Sequence, residues 1–438
     1  MANGWRAGPV VDDILRAGYP SPSHGGRGGE LEPARRVDLL AYFSGAFDLA
    51  ESQPIGHACR VAKIALGIER ELKLAPVARR RVINAALLHD AGVSIRTTSG
   101  HLGGGAWVAE RFGLDAGVKS AIRATHERWD GKGRPAGIAG DAIPIDALVL
   151  GAAHWASDHV EEPANPLRAR AQLQRACPDE VEAIAGPRVT SEMCAVLRDD
   201  GIWIALWTAE LPVVVVAAGS GEGRPSHRKV ERAAAAMGDV NDAAVREPGR
   251  SHRVASLAGA MASALGFLAG YTRAVTIAGY LIDVGQLGAP RHITEQPSIL
   301  SVDEMEQMRR HPGLGSRMLA TAPGLGEIPA WVEAHHERPD GRGYPGMLTG
   351  EEVPVTPRIL AVADAYCALR ADRPYRSALS RSEALSLVRA GAGGQFDAAV
   401  VGALTPAADA CEARWVRERR VVQVPRRQVV QKWLRRRA

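Results

Sequence analysis

The chain has 438 residues, 46% of them hydrophobic and 24% charged, with a formal net charge of +5. That apolar content excludes a disordered chain, and the length allows about two or three domains. Ten basic residues and one acid between Arg414 and Arg437 give that segment a net of +9, so the preceding 413 residues carry −4 and the basicity belongs to a tail.

Residues 1–34, rich in Gly, Pro and Ser, are predicted to form a flexible lead-in, and Asp12 and Asp13 with no continuous apolar core argue against a signal peptide. From Val37 onward apolar residues recur at helical spacing. Leu39, Leu40, Phe43, Phe47 and Ala50 make one stripe, and Val61, Ile64, Ala65 and Ile68 another. A first helical domain is expected over 35–219. Within it, Gly103-Gly104-Gly105 is read as a turn or tight packing point, because no Lys-Ser/Thr pair follows to complete a phosphate loop. Ile202 to Ala217 is the main strand candidate, and Trp203 and Trp207 are expected in the core. The most apolar stretch, Leu211 to Gly219, has nine residues, against about 18 for a membrane span. A linker is expected over 220–250, a second domain over 251–405 and the basic tail over 406–438. Trp415 and Trp433 stand among the tail's arginines, and the tail is read as solvated rather than as a nucleic-acid contact. Cys59, Cys177, Cys194, Cys367 and Cys411 are odd in number and form no CxxC pair, which excludes a disulfide framework and a thiolate zinc site and suits a reducing cytoplasm.

An internal repeat organises the chain. His126 to His154 (HERWDGKGRPAGIAGDAIPIDALVLGAAH) returns as His336 to Asp364 (HERPDGRGYPGMLTGEEVPVTPRILAVAD) at a constant offset of 210. Upstream, the residues around His57 answer those around His252, and ALLHDAGV at 86–93 answers YLIDVGQL at 280–287. Nine of the 13 histidines fall at matching or nearly matching places: His57, His89, His101, His126 and His154 in the first copy, His252, His311, His335 and His336 in the second. Imidazole and carboxylate without thiolate suit iron, manganese, zinc or another borderline or harder divalent ion. His89-Asp90 follows an apolar run and precedes Gly92, where a helix would end. Its carboxylate can bridge two metals while the imidazole holds one, and two metals can clamp a phosphoryl group. The plain alternative is a hydrogen bond at a helix end.

At this point the residues resemble a known family. His335 to Ser380 is similar to the signature of HD-GYP phosphodiesterases, a subgroup of the HD metal-dependent phosphohydrolases, and Gln395-Phe396-Asp397 resembles its closing motif. The span from about 37 to 405 resembles bacterial tandem HD/HD-GYP proteins. The resemblance implies an all-α fold of two tandem HD-type domains that act on cyclic di-GMP, a related cyclic dinucleotide or another phosphoester, with metal-bound hydroxide attacking phosphorus. It implies one or two divalent ions per intact site, Fe or Mn before Zn, Ni or Mg. Carried over by position, the second copy offers His252, Asp283, His311, His335, His336 and Asp364 as ligands, and the first copy offers His57, His89, Asp90, His101, His126 and His154. Asp90 and Asp283 would be the catalytic carboxylates. Arg373 and Arg376 resemble the family's phosphate contacts and Gly343-Tyr344-Pro345 its name-giving loop; the resemblance implies that all five bind substrate and that the loop can also contact a signalling partner. The second copy departs at Ile282, where the family has His, and at Gln286, where it has Lys. The first copy has Thr125 for a His, Val93 for the Lys and Arg134 for the loop Tyr. Gln53 and Pro248 stand where a further Glu ligand would be, so at most two metals per copy are expected. The alternatives are a decayed nucleotide-sensing or protein-interaction module and an HD-type diiron oxygenase. A cytoplasmic protein, with no membrane contact and able to form a homodimer, is expected.

Overall fold

The computed structural model describes residues 36–50, 53–54, 56–92, 100–160, 166–206, 215, 226–294, 300–320, 322–372 and 376–422. They form two compact units, one drawn from 36–251 and 280–334, the other from 252–279 and 335–422. No strand occurs among the described residues; Asp340 with Thr349 and Ala392 with Phe396 are isolated bridges. None of the described helices is long and apolar enough to cross a membrane.

In the first unit α1 (Arg36–Ala50) and α2 (His57–Leu72) carry the two apolar stripes, and Leu39, Leu40, Phe43, Val61, Ala65 and Ile68 are buried. Then follow α3 (Pro76–Ala86), α4 (Gly100–Arg111), α5 (Ala116–Arg123), α6 (Ile145–Asp158), α7 (Pro166–Val196, kinked at Gly186) and α8 (Asp200–Ala205). Helix α2 packs on α3, α6 and α7, so each buried Leu or Ile there contributes about 1.5–3 kcal/mol of apolar transfer.

Four expectations meet structural detail here. The strand expected from Ile202 is instead helical over Asp200–Ala205: Asp199 caps that turn, accepting from the N–H of Gly201 (2.8 Å) and Ile202 (3.1 Å), and Ile202 packs on Gly67 of α2. Trp203 is buried, as expected, while 207–214, Trp207 included, and 216–217 lie outside the described residues. Within the expected linker, α9 (His227–Ala244) buries Val230, Ala234, Met237 and Val240. Gly103-Gly104-Gly105 is helix rather than turn, and it is a tight packing point: a Cβ on Gly104 would lie 2.4 Å from the carbonyl oxygen of Gly92.

The chain continues through α10 (Arg250–Ala264), α11 (Ala269–Leu281), α12 (Arg291–Thr294), α13 (Val302–Met308), α14 (His311–Leu319) and α15 (Ile328–Glu333), then α16 (Val355–Leu369), α17 (Arg381–Ala390) and α18 (Ala398–Val422). Asp397 of the closing motif accepts from the Val400 N–H at the start of α18 (3.0 Å) and pairs with the buried Arg358 of α16 (2.8 Å). Helix α18 runs on through the expected tail to Val422. Trp415, expected in a solvated tail, is buried in the second unit and donates its indole N–H to Ser256 Oγ at 3.1 Å. The lead-in and Trp433 lie outside the described residues.

The repeat is reproduced in the backbone. The Arg134 N–H donates to the His126 carbonyl (2.9 Å), and the Tyr344 N–H to the His336 carbonyl (3.2 Å). In each loop the following X-Pro bond is cis. Glu127 accepts from the N–H groups of Ala136 (2.6 Å) and Ile138 (3.1 Å); Glu337 accepts from those of Gly346 and Leu348 (2.9 Å). Arg128 grips Asp130 as Arg338 grips Asp340, each through two nitrogens. A Cβ on Gly133 or Gly343 would strike the backbone N of Arg128 or Arg338 at 2.3 and 2.4 Å, so both loops close only around glycine. The first copy thus keeps the loop's form although Arg134 replaces the Tyr.

Candidate metal centre

In the first unit four expected ligands converge. His57, His89, Asp90 and His154 each offer one ligand atom, all within 4.8 Å of one another. Their placement follows from local chemistry. Asp48 accepts from the N–H of Gly56 (2.7 Å) and Ala58 (3.1 Å) and so fixes the first turn of α2, which carries His57. Burial pushes the Asp48 carboxyl up to about 6, although those N–H groups and His57 pull the other way. His57 Nδ1 lies 3.3 Å from Ser157 Oγ of α6, leaving Nε2 to face Asp90 Oδ2 at 3.5 Å. His89 donates from Nδ1 to the Ala86 carbonyl at 2.8 Å, which aims its Nε2 at Asp90 Oδ2, 3.1 Å away. Such a partner on the second ring nitrogen sets the tautomer and orientation of a metal-binding histidine.

The electrostatics match. Burial raises the Asp90 carboxyl, but His89 and His57 outweigh it and hold it well below the usual carboxylate range. Burial, aided by His89, pushes His154 down to about 3, so its imidazole is neutral at physiological pH. Burial lowers His89, but Asp90 outweighs it and raises the imidazole to about 8. Asp90 Oδ2 and His89 Nε2 are buried, yet neither has a partner in hydrogen-bond geometry. Unsatisfied buried atoms cost about 1–3 kcal/mol each. A divalent cation would satisfy both, and three imidazoles with one carboxylate suit Fe, Mn or Zn. The residues therefore fit a metal.

The other first-copy candidates are less engaged. His126 has its ring centroid 5.7 Å from that of His154. His101 stands in the first turn of α4, and its side chain lies outside the described residues. Thr125, in place of the family's His, is buried and donates its hydroxyl to the carbonyls of Ala121 (3.1 Å) and Ile122 (3.0 Å). Val93 lies outside the described residues.

Second-copy candidates divide between the units: Asp283 and His311 belong to the first, and His252, His335, His336 and Asp364 to the second. In the first unit His311 Nδ1 donates to the Met308 carbonyl (2.8 Å), repeating the His89 arrangement, and its Nε2 stands 3.4 Å from Asp283 Oδ1. Asp283 is otherwise occupied: Arg250 donates to Oδ2, and Gln286 Nε2 donates to Oδ1 at 2.6 Å. Ile282, at the family's His position, is a buried hydrocarbon. In the second unit the rings of His335 and His336 stand 4.0 Å apart, and Tyr344 stacks on His336 at 4.8 Å. Asp364 is buried and His252 is exposed, whereas its counterpart His57 is fully buried. Arg376, expected as a phosphate contact, spends its guanidinium on the carbonyls of Leu369 (3.2 Å), Ala368 (3.0 Å) and Ser377 (2.9 Å). Arg373 lies outside the described residues. The five cysteines are free thiols, with the sulfurs of Cys177 and Cys194 2.8 Å apart.

Sequence reasoning did not single out Asp48, Ser157, Glu127, Glu337 or Arg250. Glu127 and Glu337 share the offset of 210 and were open to discovery there. Asp48 has a counterpart in Asp242, which accepts from the Ser251 N–H (3.1 Å) and hydroxyl (2.6 Å), but they precede their histidines by nine and ten residues and so break register.

An HD domain model matches residues 55–174, and a second HD domain model matches 239–400. The cyclic di-GMP phosphodiesterase response regulator RpfG of Xanthomonas campestris is 38% identical over 35% of this chain and 41% of its own length. The 3'3'-cGAMP-specific phosphodiesterase 3 of Vibrio cholerae is 28% identical over 65% of this chain and 61% of its own. The chain thus spans less than two thirds of either relative. A crystal structure of a cyclic GMP-AMP-specific phosphodiesterase from Vibrio cholerae shares the fold, with a TM-score of 0.62 over 86% of this chain and 98% of that one at 21% identity. With one HD match on each copy of the repeat and all-helical units, the chain is a tandem HD-domain protein.

Proposed function

We propose that this chain is a metal-dependent phosphodiesterase of the HD-GYP type that opens a cyclic dinucleotide, cyclic di-GMP or 3'3'-cGAMP, at the first copy's histidine cluster. The observation that carries the reading is Asp90 Oδ2, buried among His57, His89 and His154 without a hydrogen bond. A divalent ion held there by His57, His89, Asp90 and His154 would supply Lewis acidity toward the phosphoryl group and toward water. The protein's own part is positional. Ser157 and the Ala86 carbonyl hold two imidazoles by their Nδ1 atoms, and the low affinity of His154 for protons keeps a third lone pair available at neutral pH. The substrate class comes from the relatives named above, a cyclic di-GMP phosphodiesterase and a 3'3'-cGAMP-specific phosphodiesterase.

The second copy supports a different reading, a catalytically decayed module kept for partner contact, because Arg250 occupies Asp283 and backbone carbonyls occupy Arg376. The test is direct. Purified protein loaded with Fe(II) or Mn(II) is incubated with each dinucleotide and the linear products are separated by chromatography. Turnover by the wild type and its loss in Asp90→Asn are expected. No hydrolysis of either substrate, or equal turnover in the variant, overturns the proposal.

A further inference from the structure

Asp90 and Asp283 hold the same place in the two copies, each closing a short helix-end segment two residues before a glycine, Gly92 or Gly285. Their surroundings differ. Asp90 Oδ2 faces imidazoles and has no hydrogen bond. Both oxygens of Asp283 are engaged, Oδ2 by the Arg250 guanidinium and Oδ1 by the Gln286 amide at 2.6 Å. Arg250 is itself buried, with Glu247 3.4 Å from its Nε. The neighbours that would compete for the carboxylate have also changed: Ile282 cannot ligate, and Gln286 is a neutral donor. In the first copy the residue two before His57 is Ile55, not an arginine.

We infer that Arg250 is a built-in cation that takes the place of a metal ion on Asp283, so that the carboxylate of the second His-Asp position is structural while that of the first serves a metal. A guanidinium is always charged and offers planar donors matched to a carboxylate, so it can neutralise a buried Asp without any ion. A metal on the Asp283 carboxylate would have to displace both Arg250 and Gln286 and leave the arginine's charge buried beside it, even though His311 Nε2 stands 3.4 Å from Oδ1. The Asp283 carboxylate, with both oxygens engaged, therefore does not offer a metal the open oxygen that Asp90 does. The inference rests on the reading of the Asp90 cluster as the metal centre, and the two can fail separately.

The experiment measures bound metal per chain by mass spectrometry of the purified full chain, and melting temperature with and without EDTA, for wild type, Asp90→Asn, Asp283→Asn, Arg250→Met and the double variant Arg250→Met/Asp283→Asn. Asp90→Asn should lower the metal content and lose the chelator-sensitive part of the melting temperature. Asp283→Asn should leave metal content unchanged. Arg250→Met should melt lower whether or not EDTA is present, and the double variant should recover part of that loss, because the buried carboxylate no longer lacks its cation. A fall in metal content in Asp283→Asn matching that in Asp90→Asn overturns the inference. So does an Arg250→Met protein that melts like the wild type. If instead Asp90→Asn keeps all its metal, the metal-centre reading fails, and the contrast between the two aspartates goes with it.

Discussion

Replacing Glu337 by Ala should destabilise the second unit to about the extent that Glu127→Ala destabilises the first. Each carboxylate is buried, 3% exposed, and each satisfies two backbone N–H groups of the loop that follows the histidine: Gly346 and Leu348 for Glu337, Ala136 and Ile138 for Glu127. The truncation removes one charged acceptor and orphans two donors. At about 1–3 kcal/mol for each buried group left unsatisfied, and with some relief from water entering the vacated space, the loss should be about 3 kcal/mol. Against a domain stability of about 5–15 kcal/mol, that lowers the folded-to-unfolded ratio by roughly a hundredfold and the melting temperature by about 6–12 °C. Gln keeps the shape and one acceptor, so Glu337→Gln should lose about half as much. Urea titration followed by circular dichroism measures each variant. If either Ala variant fell within about 0.5 kcal/mol of wild type, the range of an inert surface substitution, the carboxylate would not be what closes the loop. A first-copy variant without effect beside a strongly destabilised second-copy one would mean that Arg134 has cost the first loop its dependence on Glu127.

Ser157→Ala removes the hydroxyl 3.3 Å from His57 Nδ1; metal affinity, read by competition with a fluorescent chelator, should fall about 10–100-fold while the helical circular dichroism spectrum stays unchanged. Asp130 and Asp340 are held down to about 2 by the guanidinium groups of Arg128 and Arg338. Because these folded values lie below the unfolded value of about 3.8, the stabilisation is complete above that pH and is lost as pH falls towards 2; carboxyl carbon shifts followed by NMR should show both groups still ionised at about pH 3. The sulfurs of Cys177 and Cys194 lie 2.8 Å apart and Cys194 is partly exposed, so diamide should protect both from later alkylation in the folded protein, while the buried Cys59 should stay unlabelled until the chain is unfolded.

Much of the architecture was legible because it is periodic or repeated. The stripes of α1 and α2 announced buried helix faces, and the offset of 210 announced two loops that close alike, including the Gly133 and Gly343 positions that admit no side chain. Illegible were contacts that cross the chain without a period. Ser157 reaches His57 over 100 residues, and Trp415 reaches Ser256 over 159, so neither could be seen in a local window. A strand pattern at Ile202 was overridden by a single cap, Asp199, and by the space that Gly67 leaves open on α2.

The two aspartates show why a motif alone does not settle a site. Asp90 and Asp283 occupy equivalent positions, and read as letters the second copy looks the closer to its family, with its paired histidines and its Tyr loop intact. What a buried carboxylate does is set by which positive or donor groups reach it first, since its desolvation must be offset by something. For Asp283 that group arrives from Arg250, 33 residues upstream, and is permanently charged. For Asp90 the arrivals are imidazoles whose lone pairs depend on the hydroxyl of Ser157 and the carbonyl of Ala86. The copy that lost more of the family's substrate letters is thus the one whose carboxylate still calls for an ion, and the copy that kept them supplies its own cation from the chain.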